Sequence, residues 1–118
     1  MEKTRILLLV KANPSPFAKE VICFQEEQIM QSIDPVNTTI CGVYRFISKE
    51  LNYKSFKETC IIQKIRTRSI DQVIVTSKSI ISADISVCND FECFCNNYGI
   101  VLVEISPLHK LINKIKQV

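Results

Sequence analysis

Apolar positions along this chain follow two rhythms, short unbroken runs and stripes at helical spacing. Residues 5–11 (RILLLVK) are a continuous apolar run between Arg5 and Lys11. Such a run predicts a buried central strand over residues 6–10. The stretch Asn13-Pro14-Ser15-Pro16 then breaks regular structure. Residues 17–34 read as a helix with Ala18, Ile22, Ile29 and Ile33 on one stripe and Gln25, Glu27, Gln28 and Gln31 mostly off it. Asp34-Pro35 stops it. The β-branched and aromatic run TTICGVYRF predicts a second strand at residues 39–45.

A polar loop follows at 47–53, and a second helix is predicted over 54–67 with Phe56, Cys60 and Ile61 facing inward. Residues 72–76 (QVIVT) predict a third buried strand, followed by a serine-rich turn from Thr76 to Ser82. A third helix is expected over 83–97, with Ile81, Ile85, Cys88, Phe91 and Cys95 on one side. It ends at Asn96-Asn97-Tyr98-Gly99, where Gly99 suits a left-handed terminal position. Residues 100–105 (IVLVEI) predict a fourth strand. Leu108, Leu111, Ile112 and Ile115 then keep the spacing of a short amphipathic helix, a possible interaction surface.

Short apolar strands alternating with helices indicate βαβ units, hence an α/β, three-layer domain with a mostly parallel four-stranded sheet. Sites in such sheets collect at the C-terminal strand ends. Here those ends are Lys11 to Ser15, Phe46 to Lys49, Thr76 to Ser82, and Ser106. No repeat or linker interrupts the pattern, so residues 1–118 are expected to form a single domain.

Composition narrows the class. No apolar run reaches 18 residues and no signal-peptide cleavage pattern follows residues 6–10, so a cytoplasmic protein without a membrane span is expected. Six cysteines stand at 23, 41, 60, 88, 93 and 95, mostly within apolar patterns. There is no C-x-x-C pair, and the single histidine is His109. Reduced cysteines, no metal and no other cofactor are the expectation.

The net charge is +3, and its distribution is uneven. Lys49, Lys54, Lys57, Lys64, Arg66 and Arg68 face only Glu50 and Glu58 in the same stretch, whereas Ser79 to Ser106 holds four acids and no base. Lys110, Lys114 and Lys116 follow. The asymmetry favours a polyanion or an acidic partner, and an ordinary solvated surface gives the same pattern.

The order and spacing of these pieces are similar to those of the catalytic domain of the resolvase/invertase serine recombinases. Arg5 to Pro14 matches that family's first strand, which ends in Y-x-R-x-S. Gln25 to Ile29 matches its Q-x-x-x-L element, and Val43-Tyr44-Arg45-Phe46 its second strand. Tyr53 to Phe56 matches the start of the next helix. The run from Val73 to Gly99 fits without a gap and leads into Ile100-Val101-Leu102-Val103. The resemblance implies the strand order 2-1-3-4.

The departures fall at the family's functional positions. Leu9, Lys11 and Asn13 stand where the resemblance places a tyrosine, an arginine and the nucleophilic serine. Phe46 replaces an aspartate and Tyr53 an arginine, and the D-R-L-G-R box becomes Ser79-Ile80-Ile81-Ser82-Ala83. Phosphoryl transfer through a serine needs an activatable oxygen and several cations around the phosphate. An asparagine amide cannot form the phosphoserine link, and Ile80 and Ala83 remove two guanidinium groups. Ser15, Ser77, Ser79 and Ser82 are displaced nucleophile candidates that also read as turn serines. His109 reads as a surface histidine on the polar side of the last helix.

These residues imply a catalytically inactive resolvase-like domain that serves as an interaction or assembly module in site-specific recombination of mobile elements. Its expected partners are a second copy or an intact serine recombinase. Two alternatives stand beside it. One is a divergent recombinase or other phosphoryl-transfer enzyme, and the other is a mobile-element remnant without selected activity. No separate DNA-binding domain is expected before Val118, so nucleic-acid binding should be weak, nonspecific and salt-dependent.

Overall fold

A computed structural model describes residues 3–49 and 60–105. In chain order the elements are β1 (Thr4–Ala12), α1 (Ala18–Ser32), β2 (Thr38–Ile47), α2 (Cys60–Arg66), β3 (Gln72–Val75), a 3₁₀ turn (Lys78–Ile80), α3 (Ile85–Asn97) and β4 (Val101–Glu104). The strands form one sheet in the order β2-β1-β3-β4. Every neighbouring pair is parallel. The α/β class and the strand order expected above are those observed.

The direction of the connections decides which face each helix covers. From β1 the chain steps one way to β2, then returns past β1 to β3 and on to β4. Right-handed crossovers with opposite steps put α1 on one face and α2 and α3 on the other. Side chains alternate across β1 accordingly. Ile6, Leu8, Val10 and Ala12 pack with Ala18, Ile22 and Ile29 of α1. Leu7 and Leu9 pack with Ile61, Ile62 and Ile65 of α2 and with Cys88, Phe91 and Cys95 of α3. β1 is therefore buried on both sides, which explains its unbroken apolar run.

Local chemistry sets the element ends. Asp34 accepts from the Val36 amide at 3.0 Å and from Asn37 Nδ2 at 2.6 Å, a turn that ends α1. Asp84 caps α3 by accepting from the Ser86 amide at 2.9 Å. α2 and α3 stop alike. The Ser69 amide returns to the Lys64 carbonyl and the Ile100 amide to the Cys95 carbonyl, with Arg68 (φ 55°) and Gly99 (φ 75°) in the left-handed region. β2 carries a bulge where Cys41 is skipped between the pairs Ile6–Ile40 and Leu7–Gly42. Lys64 Nζ donates to the Cys41 carbonyl at 3.3 Å. The Tyr44 ring lies 3.0 Å from where a Cβ on Gly42 would stand, so the bulge admits no larger residue without a shift.

Two inward assignments and one outward assignment need correction. Cys60 is exposed, because α2 buries Ile61, Ile62 and Ile65 and residue 60 lies on the opposite side of so short a helix. Ile85 is 75% exposed, since it opens α3 and the buried stripe starts at Cys88. Gln25 stands three residues after Ile22 and four before Ile29, on the buried stripe rather than off it. Phe56 and the segment 54–59 of the expected second helix lie outside the described residues, as do Leu108, Leu111, Ile112 and Ile115.

Candidate functional site

In a parallel sheet whose connections reverse direction, the crevice opens where neighbouring strands send their loops to opposite faces. Here that point is between the C-terminal ends of β1 and β3. β3 stops at Val75, and its pairing with β1 extends to Leu8–Ile74. β1 runs on to Ala12, and the Ala12 carbonyl accepts from the Ser48 amide on the β2 side. The N–H and C=O of Lys11 therefore point the other way, into the space that β3 has left.

Gln25 fills that space. Its Oε1 accepts from the Lys11 amide at 3.0 Å, and its Nε2 donates to the Lys11 carbonyl at 2.7 Å. One side-chain amide thus replaces a missing strand residue at the crevice. The Lys11 ammonium bends across the tips of β1 and β2, donating to the Lys49 carbonyl at 3.1 Å and to Asn13 Oδ1 at 3.4 Å. Phe46 pairs in register with Lys11 and packs against the core on the α2/α3 side. Asn13 and Lys49 are exposed.

The remaining positions divide between core and turn. Leu9 is fully buried and Ile80 is 7% exposed, both in the α2/α3 core. Ala83 is exposed ahead of α3. Ser79 belongs to the 3₁₀ turn, where its amide donates to Ser77 Oγ at 3.3 Å. The turn is fastened at several points. Lys78 Nζ donates to Glu92 Oε1 at 3.2 Å, the Lys78 amide to Glu104 Oε2 at 2.7 Å, and Cys88 Sγ to the Lys78 and Ser82 carbonyls at 3.1 Å. Tyr53 lies outside the described residues.

The hydroxyls of Ser15, Ser77 and Ser82 each accept from a backbone amide. Ser15 Oγ accepts from the Phe17 amide at 3.2 Å, and Ser82 Oγ from the Asp84 amide at 3.0 Å. Ser77 and Ser79 hydroxyls bond each other at 2.9 Å. No arginine occupies the loops 13–17 or 76–84. Arg45 is held by Glu26, which raises the guanidinium pKa further, and Arg5 by Asp71.

The basic residues singled out from the sequence do not share one end of the sheet. Lys49 follows β2 at its C-terminal end, whereas Lys64, Arg66 and Arg68 lie along α2 and the turn into β3, at the opposite end. Lys54 and Lys57 lie outside the described residues. Among the described residues no group of three or more histidine, cysteine, aspartate or glutamate side chains is placed to hold a metal ion. None of the six cysteines is paired in a disulfide. Burial, with a smaller contribution from Glu92, pushes the Cys95 thiol up to about 12, which leaves it inert. No helix among the described residues is long and apolar enough to cross a membrane.

No family model matches the sequence, and no curated protein matches it. Solved structures do. The C-terminal catalytic domain of ISC1926 TnpA, an IS607-like serine recombinase, superposes with a TM-score of 0.73 at 17% identity, over 94% of this chain and 77% of that one. This chain has the fold of a serine recombinase catalytic domain. A resolvase family site-specific recombinase from Streptococcus pneumoniae superposes with a TM-score of 0.71 at 13% identity, over 98% of this chain and 89% of that one. The N-terminal catalytic domain of TP901-1 integrase gives 0.68 at 11% identity, over 95% and 90%. The resolvase-like fold is thus retained over nearly the whole chain. The sequence reading did not anticipate the Gln25 clamp on Lys11, whose signal was the spacing of Gln25 between Ile22 and Ile29.

Proposed function

We propose that this chain is a catalytically inactive resolvase-like domain, retained as an assembly module that pairs with itself or with an intact serine recombinase in site-specific recombination. The observation that carries this reading is the state of the crevice at the ends of β1 and β3. Lys11 and Gln25 are engaged with backbone groups, Leu9 and Ile80 are sealed in the core, and Asn13 stands at the strand tip without a hydroxyl. Losing one preorganised contact to a developing charge commonly costs ~3–4 kcal/mol of transition-state stabilisation. Here the nucleophile and several cations are replaced together, and members of such a site act as a unit.

Nucleic-acid contact by this chain is weak and salt-dependent in this reading, because Lys49 and the Lys64–Arg68 group stand at opposite ends of the sheet. The turn bonds of Ser15, Ser77 and Ser82 weigh against a displaced nucleophile. The test is incubation of the purified chain with supercoiled DNA carrying many candidate sites, followed by denaturation and a search for covalent adducts. No adduct is expected from the parent or from Asn13→Ser. A reproducible adduct through Ser15, Ser77, Ser79 or Ser82 would establish the enzyme reading instead. Assembly is tested by adding the chain to an active serine recombinase, whose recombination rate should change in proportion to the added chain.

A further inference from the structure

At the N-terminal end of the sheet, away from the crevice of β1 and β3, a cleft of about 580 Å³ opens among Lys3, Arg5, Thr39, Cys41 and Asp71. Its position follows from the strand register. Arg5 pairs with Thr39, and Cys41 is the residue skipped at the β2 bulge. The Cys41 carbonyl accepts from Lys64 Nζ at 3.3 Å, which brings a half-buried cation from α2 to the cleft. An ammonium has three donors, and this bond uses one of them. Lys3 is exposed and has no ion-pair partner among the described residues. Asp71 is the one carboxylate among the described lining residues, and it is engaged by Arg5 through the amide at 2.8 Å, Nε at 3.2 Å and Nη2 at 3.0 Å. Three cations thus stand against one carboxylate. The carbonyls that end α2 would repel an anion. Those of Gln63, Lys64 and Ile65 instead accept from the amides of Thr67, Ser69 and Arg68 at 3.0–3.1 Å.

We propose that this cleft binds the phosphate group of a small phosphorylated molecule, with Lys3, Arg5 and Lys64 around its oxygens and Thr39 contributing a hydroxyl. Arg5 and Thr39 are lateral neighbours on adjacent strands, roughly 5 Å apart, so both reach one phosphate. Lysines act on phosphate as compact point charges, and the Arg5 guanidinium adds a delocalised charge whose position Asp71 has already fixed. Fixing it in advance reduces the ordering cost of binding. The Lys64 ammonium is likewise tethered, by the bulge carbonyl of Cys41. The cleft volume falls within the roughly 300–1,000 Å³ that holds small ligands. None of these groups belongs to the crevice at the C-terminal ends of β1 and β3, so the site is independent of the assembly reading.

The test titrates the full chain with inorganic phosphate, glycerol phosphate and adenosine monophosphate, against sodium chloride at matched ionic strength. Calorimetry measures affinity and amide NMR shifts locate the site. Shifts are expected at Lys3, Arg5, Thr39, Cys41 and Lys64, with half-saturation at roughly millimolar phosphate. Lys3→Gln and Lys64→Gln should each weaken phosphate roughly threefold to tenfold. Lys49→Gln, at the other end of β2, should leave the affinity unchanged. Should Lys64→Gln fail to fold, the exposed Lys3→Gln decides. Tighter binding of adenosine monophosphate than of glycerol phosphate would support the site and assign a nucleotide, whereas equal affinities would support it through the phosphate alone. An equal response to chloride, or shifts confined to Lys11 and Lys49, would overturn the proposal. So would a single-stranded oligonucleotide that binds while all three small phosphates fail, since the ligand would then be a polymer on dispersed charge.

Discussion

Lys11 has its backbone committed to Gln25 and its ammonium to Asn13 and Lys49. The Gln25 clamp is a structural element in its own right. A half-buried N–H and C=O at the end of β1 lose both partners if the amide is removed. Gln25→Ala is therefore expected to cost about 1–2 kcal/mol of stability. Urea denaturation should show a lower midpoint at unchanged m-value, and an unchanged midpoint would mean that water substitutes for the amide at no cost. Leu9 and Ile80, by contrast, contribute only apolar packing, both in the α2/α3 core.

At the scale of elements, the two helix ends that close α2 and α3 make a controlled pair. Both return the same backbone bonds, yet one places Gly99 and the other Arg68 in the left-handed region. A side chain there costs roughly 1 kcal/mol relative to glycine. Gly99→Ala should then destabilise by about 1 kcal/mol, and Arg68→Gly should stabilise by up to about the same. Nothing lies within 4 Å of a Cβ on Gly99, so conformation rather than crowding sets the cost. Equilibrium unfolding of both variants checks the pair, and like signs for the two would refute this account. Gly99 was legible in the sequence because glycine marks such ends. Arg68 was not, because nothing about an arginine announces a positive φ.

Across the whole molecule, Arg5 and Asp71 fasten the start of β1 to the start of β3. Arg5 donates through its amide at 2.8 Å, Nε at 3.2 Å and Nη2 at 3.0 Å, while the Asp71 amide donates to the Arg5 carbonyl at 2.7 Å. The side-chain and backbone bonds from Arg5 hold the Asp71 carboxyl below the usual carboxylate range. A carboxyl whose pKa is depressed by folding adds stability above its unfolded value of about 3.9, and that stability is lost as pH falls through the folded value. Asp71→Asn should lower Tm at pH 7, and the gap from the parent should narrow below about pH 4. Thermal melts from pH 7 to 2 measure it, and a gap constant over that range would show that Asp71 acts without its charge. Both side chains are nearly half exposed, so added salt should also shrink the gap.

The kind and order of the elements follow from the sequence alone, because they depend on spacing between near neighbours. Five consecutive apolar residues between Arg5 and Lys11, too short for a buried helix, fit a strand buried on both faces, and the spacing of Ala18, Ile22 and Ile29 fits a helix with one buried side. The parallel α/β class follows from that alternation. The strand order came from the resemblance to a family rather than from spacing. Other features depend on residues far apart in the chain. The Gln25–Lys11 clamp joins positions 14 apart and the Arg5–Asp71 pair positions 66 apart. The exposure of Cys60 and Ile85 depends on where short helices begin against the sheet. Periodicity records which side of an element is apolar, whereas only packing in three dimensions decides which side chains meet and which polar groups are left to be satisfied.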